Sequence, residues 1–207
     1  MRPWKIASET ATLDNLSNGR TILSVGLGAV DTGFTQFGEA TDIRERAALM
    51  DECLDIMQGL WAGQPFEYAG NHYQVKPTDF VPPPAPINGK VPIWMVGKLG
   101  SKKSKNRVLK YEGILPSVQA EDGGWRALTV QDIEEIRQFA SVNNREDLEI
   151  IVEGETEKMS PDQAADEVTR WQAAGASWFI DAMWQTQFED NVIDRVRARL
   201  EQGPPLT

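Results

Sequence analysis

Apolar residues recur at steps of three and four through residues 43–61, at Ile43, Ala47, Met50, Leu54, Met57 and Trp61. That period puts them on one face and predicts an amphipathic helix, with Asp42 as its N-cap. A helix is also expected over residues 4–16, ahead of the turn at Asn18-Gly19. Val130, Ile133, Ile136 and Phe139 mark a third across 129–142. Ser160 before Pro161 starts a fourth, which Gly175 stops. A basic helix is expected at 101–111 and a closing helix at 188–200, ended by Gly203-Pro204-Pro205.

Short apolar runs alternate with these helices. They fall at 20–25 (RTILSV), 91–96 (VPIWMV), 113–117 (GILPS), 148–152 (LEIIV) and 177–183 (SWFIDAM). Each has the length of a buried strand. Phe66, Tyr68, Tyr73 and Val75 suggest a small hairpin around Gly70-Asn71, and 77–92 reads as proline-rich irregular chain. The order is one helix and then five β–α units. Repeated alternation predicts a parallel sheet with right-handed crossovers. Nothing in the composition marks a linker, so residues 1–207 are expected to form a single domain.

The 207 residues are 41% hydrophobic and 25% charged, ordinary for a globular chain. A net charge of −10 argues against nucleic acid or an anionic membrane as partner. No apolar h-region opens the chain, no window is long and apolar enough to span a bilayer, and the expected compartment is the cytoplasm. Cys53 and His72 are the only residues of their kinds, so neither a disulfide nor a His/Cys metal centre is expected.

Candidate chemistry is sparse. Gly26-Leu27-Gly28 follows a strand, but position 31 is Asp and a long loop precedes the next helix, so the dinucleotide fingerprint fails. The glycines suit a backbone approaching a planar ligand, or simple turn geometry. His72 reads as structural rather than as a general base, and Cys53 as a packed thiol. Glu153, Glu155 and Glu157 read as a solvated strand end rather than a two-carboxylate hydrolase. The basic stretch from Lys98 to Lys110 reads as a solvated helix face, with attraction of a phosphate as its alternative.

Several segments together resemble one family, the luciferase-like monooxygenases. Ala7-Ser8-Glu9-Thr10-Ala11-Thr12-Leu13-Asp14-Asn15-Leu16-Ser17-Asn18-Gly19-Arg20 is similar to its A-x-E-x-A-T-L-D-x-L-S-x-G-R segment, and Gly26-Leu27-Gly28 to the G-x-G turn after it. Asp51-Glu52 with Leu60-Trp61 resembles the family's D-E and L-W positions. Phe66 to Tyr73 resembles F-x-Y-x-G-x-H-Y. The stretch 82–97, with Pro92-Ile93-Trp94 and Gly97, resembles P-I-W-x-x-G, and Gly175-Ala176-Ser177-Trp178-Phe179 its last strand.

The resemblance implies an α/β fold that is a partial TIM (β/α) barrel. About five β–α units would correspond to strands 4–8 of a (β/α)8 barrel, incomplete at the N-terminus. It implies a flavin- or F420-dependent oxidoreductase or monooxygenase acting on a small organic substrate, with reduced FMN or coenzyme F420 bound at the carboxyl ends of the strands. A separate flavin reductase would be a partner. Cofactor-binding positions would be Gly26, Gly28 and Ala29, then Trp94, Met95 and Gly97, then Leu115 and Pro116, with Gly154 and Thr156 at the phosphate. No metal is implied, and no catalytic base can be named. Glu155 and Glu157 depart from the family's phosphate loop and would repel a phosphate. The alternative is a non-catalytic flavin-binding protein or an inactive truncated remnant. An open sheet has unpaired edges, so a homodimer, or an N-terminal segment laid over the edge, is expected.

Overall fold

A computed structural model of the chain describes residues 2–29, 32–63, 65–79, 85–184 and 191–205. Asp31, the proline stretch at 81–84 and the first turn expected for the closing helix, 188–190, lie outside the described residues. Two compact units divide the chain, Met1–Trp94 and Met95–Thr207.

The first unit contains α1 (Pro3–Leu16), β1 (Leu23–Val25), α2 (Ile43–Ala62), β2 (Phe66–Ala69), β3 (Gln74–Thr78) and the start of β4 (Ile93–Lys98). Asp42 caps α2, accepting the N–H groups of Arg44 and Glu45 at 2.9 Å each. The small residues Ala7 and Ala11 are both 1% exposed. They let α1 approach α2 closely enough for Trp61 Nε1 to donate to the Ala7 carbonyl at 3.0 Å. Buried Asp14 accepts from the N–H groups of Thr21 and Ile87, tying the end of α1 to the segments before β1 and β4. Gly59 gives up helix propensity in the middle of α2 because the Phe66 ring sits on it: a Cβ there would lie 2.1 Å from Phe66 Cε2.

β2 and β3 pair antiparallel, with a register shift between Phe66 and Tyr68. β3 runs on to Thr78 and so includes Pro77, which the sequence pattern assigned to irregular chain. A two-stranded ribbon has free edges, and a proline without an N–H is tolerated there.

The second unit contains the rest of β4, then α3 (Lys102–Val108), β5 (Gly113–Gln119), β6 (Trp125–Arg126), α4 (Val130–Val142), β7 (Glu149–Gly154), α5 (Pro161–Ala174), β8 (Trp178–Asp181) and α6 (Val192–Gln202). The core strands follow chain order, β1-β4-β5-β7-β8, with β6 on β5. β7 pairs parallel to both β5 and β8. Ile150, Ile151 and Val152 are 0 to 1% exposed, so β7 is buried on both faces, as an inner parallel strand must be. Each contributes about 1.5–3 kcal/mol of apolar burial.

Capping boxes start α4 (Thr129 with Asp132) and α5 (Ser160 with Gln163). Gly175 ends α5 in the left-handed region at φ 107°. β6 is an addition to the pattern read from sequence. Two residues of strand, held to β5 by an antiparallel hairpin, are too short for any period to show.

Candidate functional site

Parallel α/β chains build their sites on the loops that leave the carboxyl ends of the strands. Gly26, Gly28 and Ala29 follow the end of β1, and Gly154 and Thr156 lie at and just past the end of β7, but Trp94, Met95 and Gly97 lie within β4 and Leu115 and Pro116 within β5.

After β1, the turn Gly26-Leu27-Gly28 is clamped by Arg46 on α2. The guanidinium donates to the carbonyls of Leu27 and Gly28 and stacks over the Phe34 ring, 4.9 Å from its centroid. Gly28 has φ 72°, and a Cβ there would meet Phe34 at 2.9 Å. The glycine is therefore required by the turn and by a ring of the same chain. Gly26, Gly28 and Ala29 are exposed.

Along β4, Trp94 and Met95 are buried at 6% and 1% exposure. Gly97 is buried as well, and a Cβ on it would lie 2.7 Å from Ile114 and 3.0 Å from Val108. Close packing of β4 on β5 and α3 explains that glycine.

β5 borders a cavity. Leu115 and Pro116 line a cavity of about 220 Å³ together with Ser117, Val118, Trp125, Arg126, Leu128, Ile151 and Glu153. Its walls are mostly apolar. Arg126 is locked by a two-pronged ion pair to Asp132, both contacts at 2.7 Å. That hydrogen-bonded pairing, helped by the N–H and hydroxyl of Thr129, outweighs burial and holds the Asp132 carboxyl at about 2.

After β7, Gly154 packs against Phe179 of β8, where a Cβ would lie 2.7 Å from the ring. Thr156 is 3% exposed. Its N–H donates to Asp181 Oδ1 at 3.0 Å and its hydroxyl to Asp181 Oδ2. Arg199 on α6 donates to the same carboxylate through Nε at 2.7 Å and to Thr156 Oγ1 at 3.1 Å. Burial alone would raise the Asp181 pKa, but the Thr156 donors and Arg199 outweigh it and lower it. Glu157 pairs with Arg195, which lowers its pKa too.

The structure thus brings Leu115 and Pro116 together on one cavity and sets Gly154 and Thr156 against β8. Neither Gly154 nor Thr156 lines that cavity. Sequence reasoning missed Arg46, Arg126, Asp181 and Arg199. The one available signal was Asp181, an acid in an otherwise apolar strand.

The remaining candidates have structural roles. The His72 side chain is exposed, and its N–H, with those of Asn71 and Tyr73, donates to the buried Glu52 carboxylate. Cys53 is buried, which raises its pKa and leaves it an inert thiol. Lys105 of the basic helix lies over the Phe139 ring at 4.9 Å. A shallow groove of about 580 Å³ is lined by Lys158 and Met159 of the loop after β7 and by Gln163, Asp166, Glu167 and Arg170 of α5. Among the described residues no group of three or more His, Cys, Asp or Glu could hold a metal ion, and no helix is long and apolar enough to cross a membrane.

Comparison with known proteins bears on this geometry. The family model for luciferase-like monooxygenases matches residues 1–202. An F420-dependent glucose-6-phosphate dehydrogenase of Rhodococcus hoagii is 31% identical over 97 residues, covering 45% of this chain and 27% of that protein. The enzyme of the same description from Segniliparus rotundus is 30% identical over 129 residues, covering 56% of this chain and 38% of that protein. The chain therefore spans well under half the length of these curated relatives.

Among solved structures, the oxygenating constituent of 3,6-diketocamphane monooxygenase from Pseudomonas putida, a type II Baeyer-Villiger monooxygenase in complex with FMN, superposes with a TM-score of 0.65. It shares 14% identity, and the match covers 95% of this chain and 72% of that one. A monooxygenase from Streptomyces bottropensis gives a TM-score of 0.56 at 19% identity, covering 98% and 63%. At these identities the likeness fixes the fold, a partial (β/α) barrel with its core strands in chain order.

Proposed function

We infer from the luciferase-like monooxygenase family, to which this chain belongs by the match over residues 1–202, that it takes part in flavin or deazaflavin redox chemistry on a small organic substrate. That match is the observation that carries the reading. The F420-dependent dehydrogenases and the FMN-bound monooxygenase among its relatives support FMN or F420 as the cofactor.

The chain's residues fit the two ends of such a cofactor unequally. The cavity on β5 and β7 offers Leu115, Pro116, Val118 and Ile151 as apolar walls and Trp125 as an aromatic face. These suit a planar ring. At about 220 Å³ it lies below the roughly 300–1,000 Å³ usual for a whole small-molecule site, so it would take the ring alone. Thr156 does not fit the phosphate, because its N–H and hydroxyl are already given to Asp181. When bound, the cofactor supplies hydride transfer or oxygen activation. The side chains of the cavity would orient the ring, and Arg126, its charge balanced by Asp132, would be a fixed group at the rim.

The test is the absorption spectrum of the protein after incubation with FMN or F420 and desalting, followed by oxidation of the reduced cofactor with and without candidate carbonyl and sugar substrates. A retained flavin or deazaflavin band with substrate-dependent oxidation is expected. Absence of both bands would sink the reading. Retention without oxidation would reduce it to a binding protein. A homodimer and a separate flavin reductase belong to the same proposal, and sedimentation equilibrium reads the first.

A further inference from the structure

The loop after β7 and the end of β8 enclose a set of donors with one chemical purpose. The Thr156 N–H, the Thr156 hydroxyl and the Arg199 guanidinium converge on a single point. One backbone N–H, one hydroxyl and one guanidinium make the donor set of an oxyanion seat. The point is filled by a carboxylate of the same chain, Asp181, with Thr156 3% exposed beneath it. The side chains of Arg199 and Asp181 are themselves only 11% and 17% exposed. Arg195, the next cation along α6, is taken by Glu157.

We propose that Asp181 is a resident anion that closes this seat to phosphate and other oxyanions, and that removing its carboxylate turns the seat into a phosphate-binding site. An arriving phosphate would have to displace a half-buried carboxylate that already satisfies the Thr156 donors and pairs with Arg199. In exchange it would leave that carboxylate without partners, within electrostatic reach of Glu157. Unpairing a partly buried charge costs free energy, so the exchange runs against phosphate. Once the carboxylate is gone, the Thr156 N–H, the Thr156 hydroxyl and Arg199 Nε lose their acceptor, while the Gly203 carbonyl still holds the guanidinium in place, and an oxyanion restores what was lost. The proposal extends the misfit between Thr156 and a cofactor phosphate, yet it stands whether or not the chain carries out redox chemistry.

The test uses inorganic phosphate as probe and needs no cofactor. Phosphorus-31 line broadening and the melting temperature are followed against phosphate concentration at constant ionic strength, set with chloride. The unaltered chain should show no broadening that Thr156→Val abolishes. Asp181→Ala should gain saturable broadening and a phosphate-dependent rise in melting temperature, and Thr156→Val in that background should remove both. Asp181→Ser, which also takes the carboxylate out of the seat, serves if the alanine variant does not fold. The proposal is overturned if the unaltered chain binds phosphate through Thr156. It is equally overturned if a folded Asp181 variant, judged by circular dichroism, gains no phosphate response.

Discussion

Glu52 and Asp132 are both carboxylates on helices, and the chain uses each as an acceptor for its own backbone. Burial alone would raise the Glu52 pKa, but the N–H groups of His72, Tyr73 and Asn71 outweigh it and lower it. Glu52→Ala should lower the melting temperature and speed hydrogen exchange at amides 71–73 in particular. Uniform acceleration across the chain would contradict a local role. For Asp132 the folded pKa of about 2 lies below the ordinary value of 3.8. Its contribution to stability is therefore complete above about pH 4 and disappears as pH falls toward about 2. Asp132→Asn should flatten the acid limb of the stability curve in that window, read by denaturant melts at stepped pH. Trp125 is 67% exposed, so Trp125→Ala should change stability by less than about 0.5 kcal/mol. If Trp125 faces the cofactor ring, the same change should weaken cofactor binding by up to about tenfold, the loss of one aromatic contact.

Helix starts were legible because their causes are local. Asp42, Thr129 and Ser160-Pro161 each satisfy N–H groups within three residues, so the signal lies inside a short window. The glycines were legible as requirements but not as reasons. Gly59, Gly97 and Gly154 answer to Phe66, Ile114 and Phe179, partners that only the fold brings near. The seat around Thr156 was hidden for the same cause, since Asp181 and Arg199 lie on two later elements. Strand ends drifted where pairing sets them: β4 runs through Gly97 to Lys98, and β3 through Pro77. Gly59→Ala separates these levels. Helix propensity alone predicts a gain of about 1 kcal/mol. The Phe66 ring predicts a net loss, since overpacking costs about 1–3 kcal/mol. Thermal or urea denaturation gives the sign, and a gain would show that the ring can yield.

At the scale of the molecule, the five alternating apolar runs placed the core strands in the order they occupy, because a parallel strand buried on both faces must be a short apolar block. The family resemblance rests on the same blocks and their intervening motifs, and the match over residues 1–202 bears it out. What the family brings in chemistry depends on whether a tricyclic ring finds a face on this chain. Quenching of FMN or F420 fluorescence by the purified protein, titrated to saturation, measures that directly. Saturable quenching with one ring per chain, weakened by Trp125→Ala, is the predicted result. Fluorescence unchanged across the titration for both compounds would contradict it.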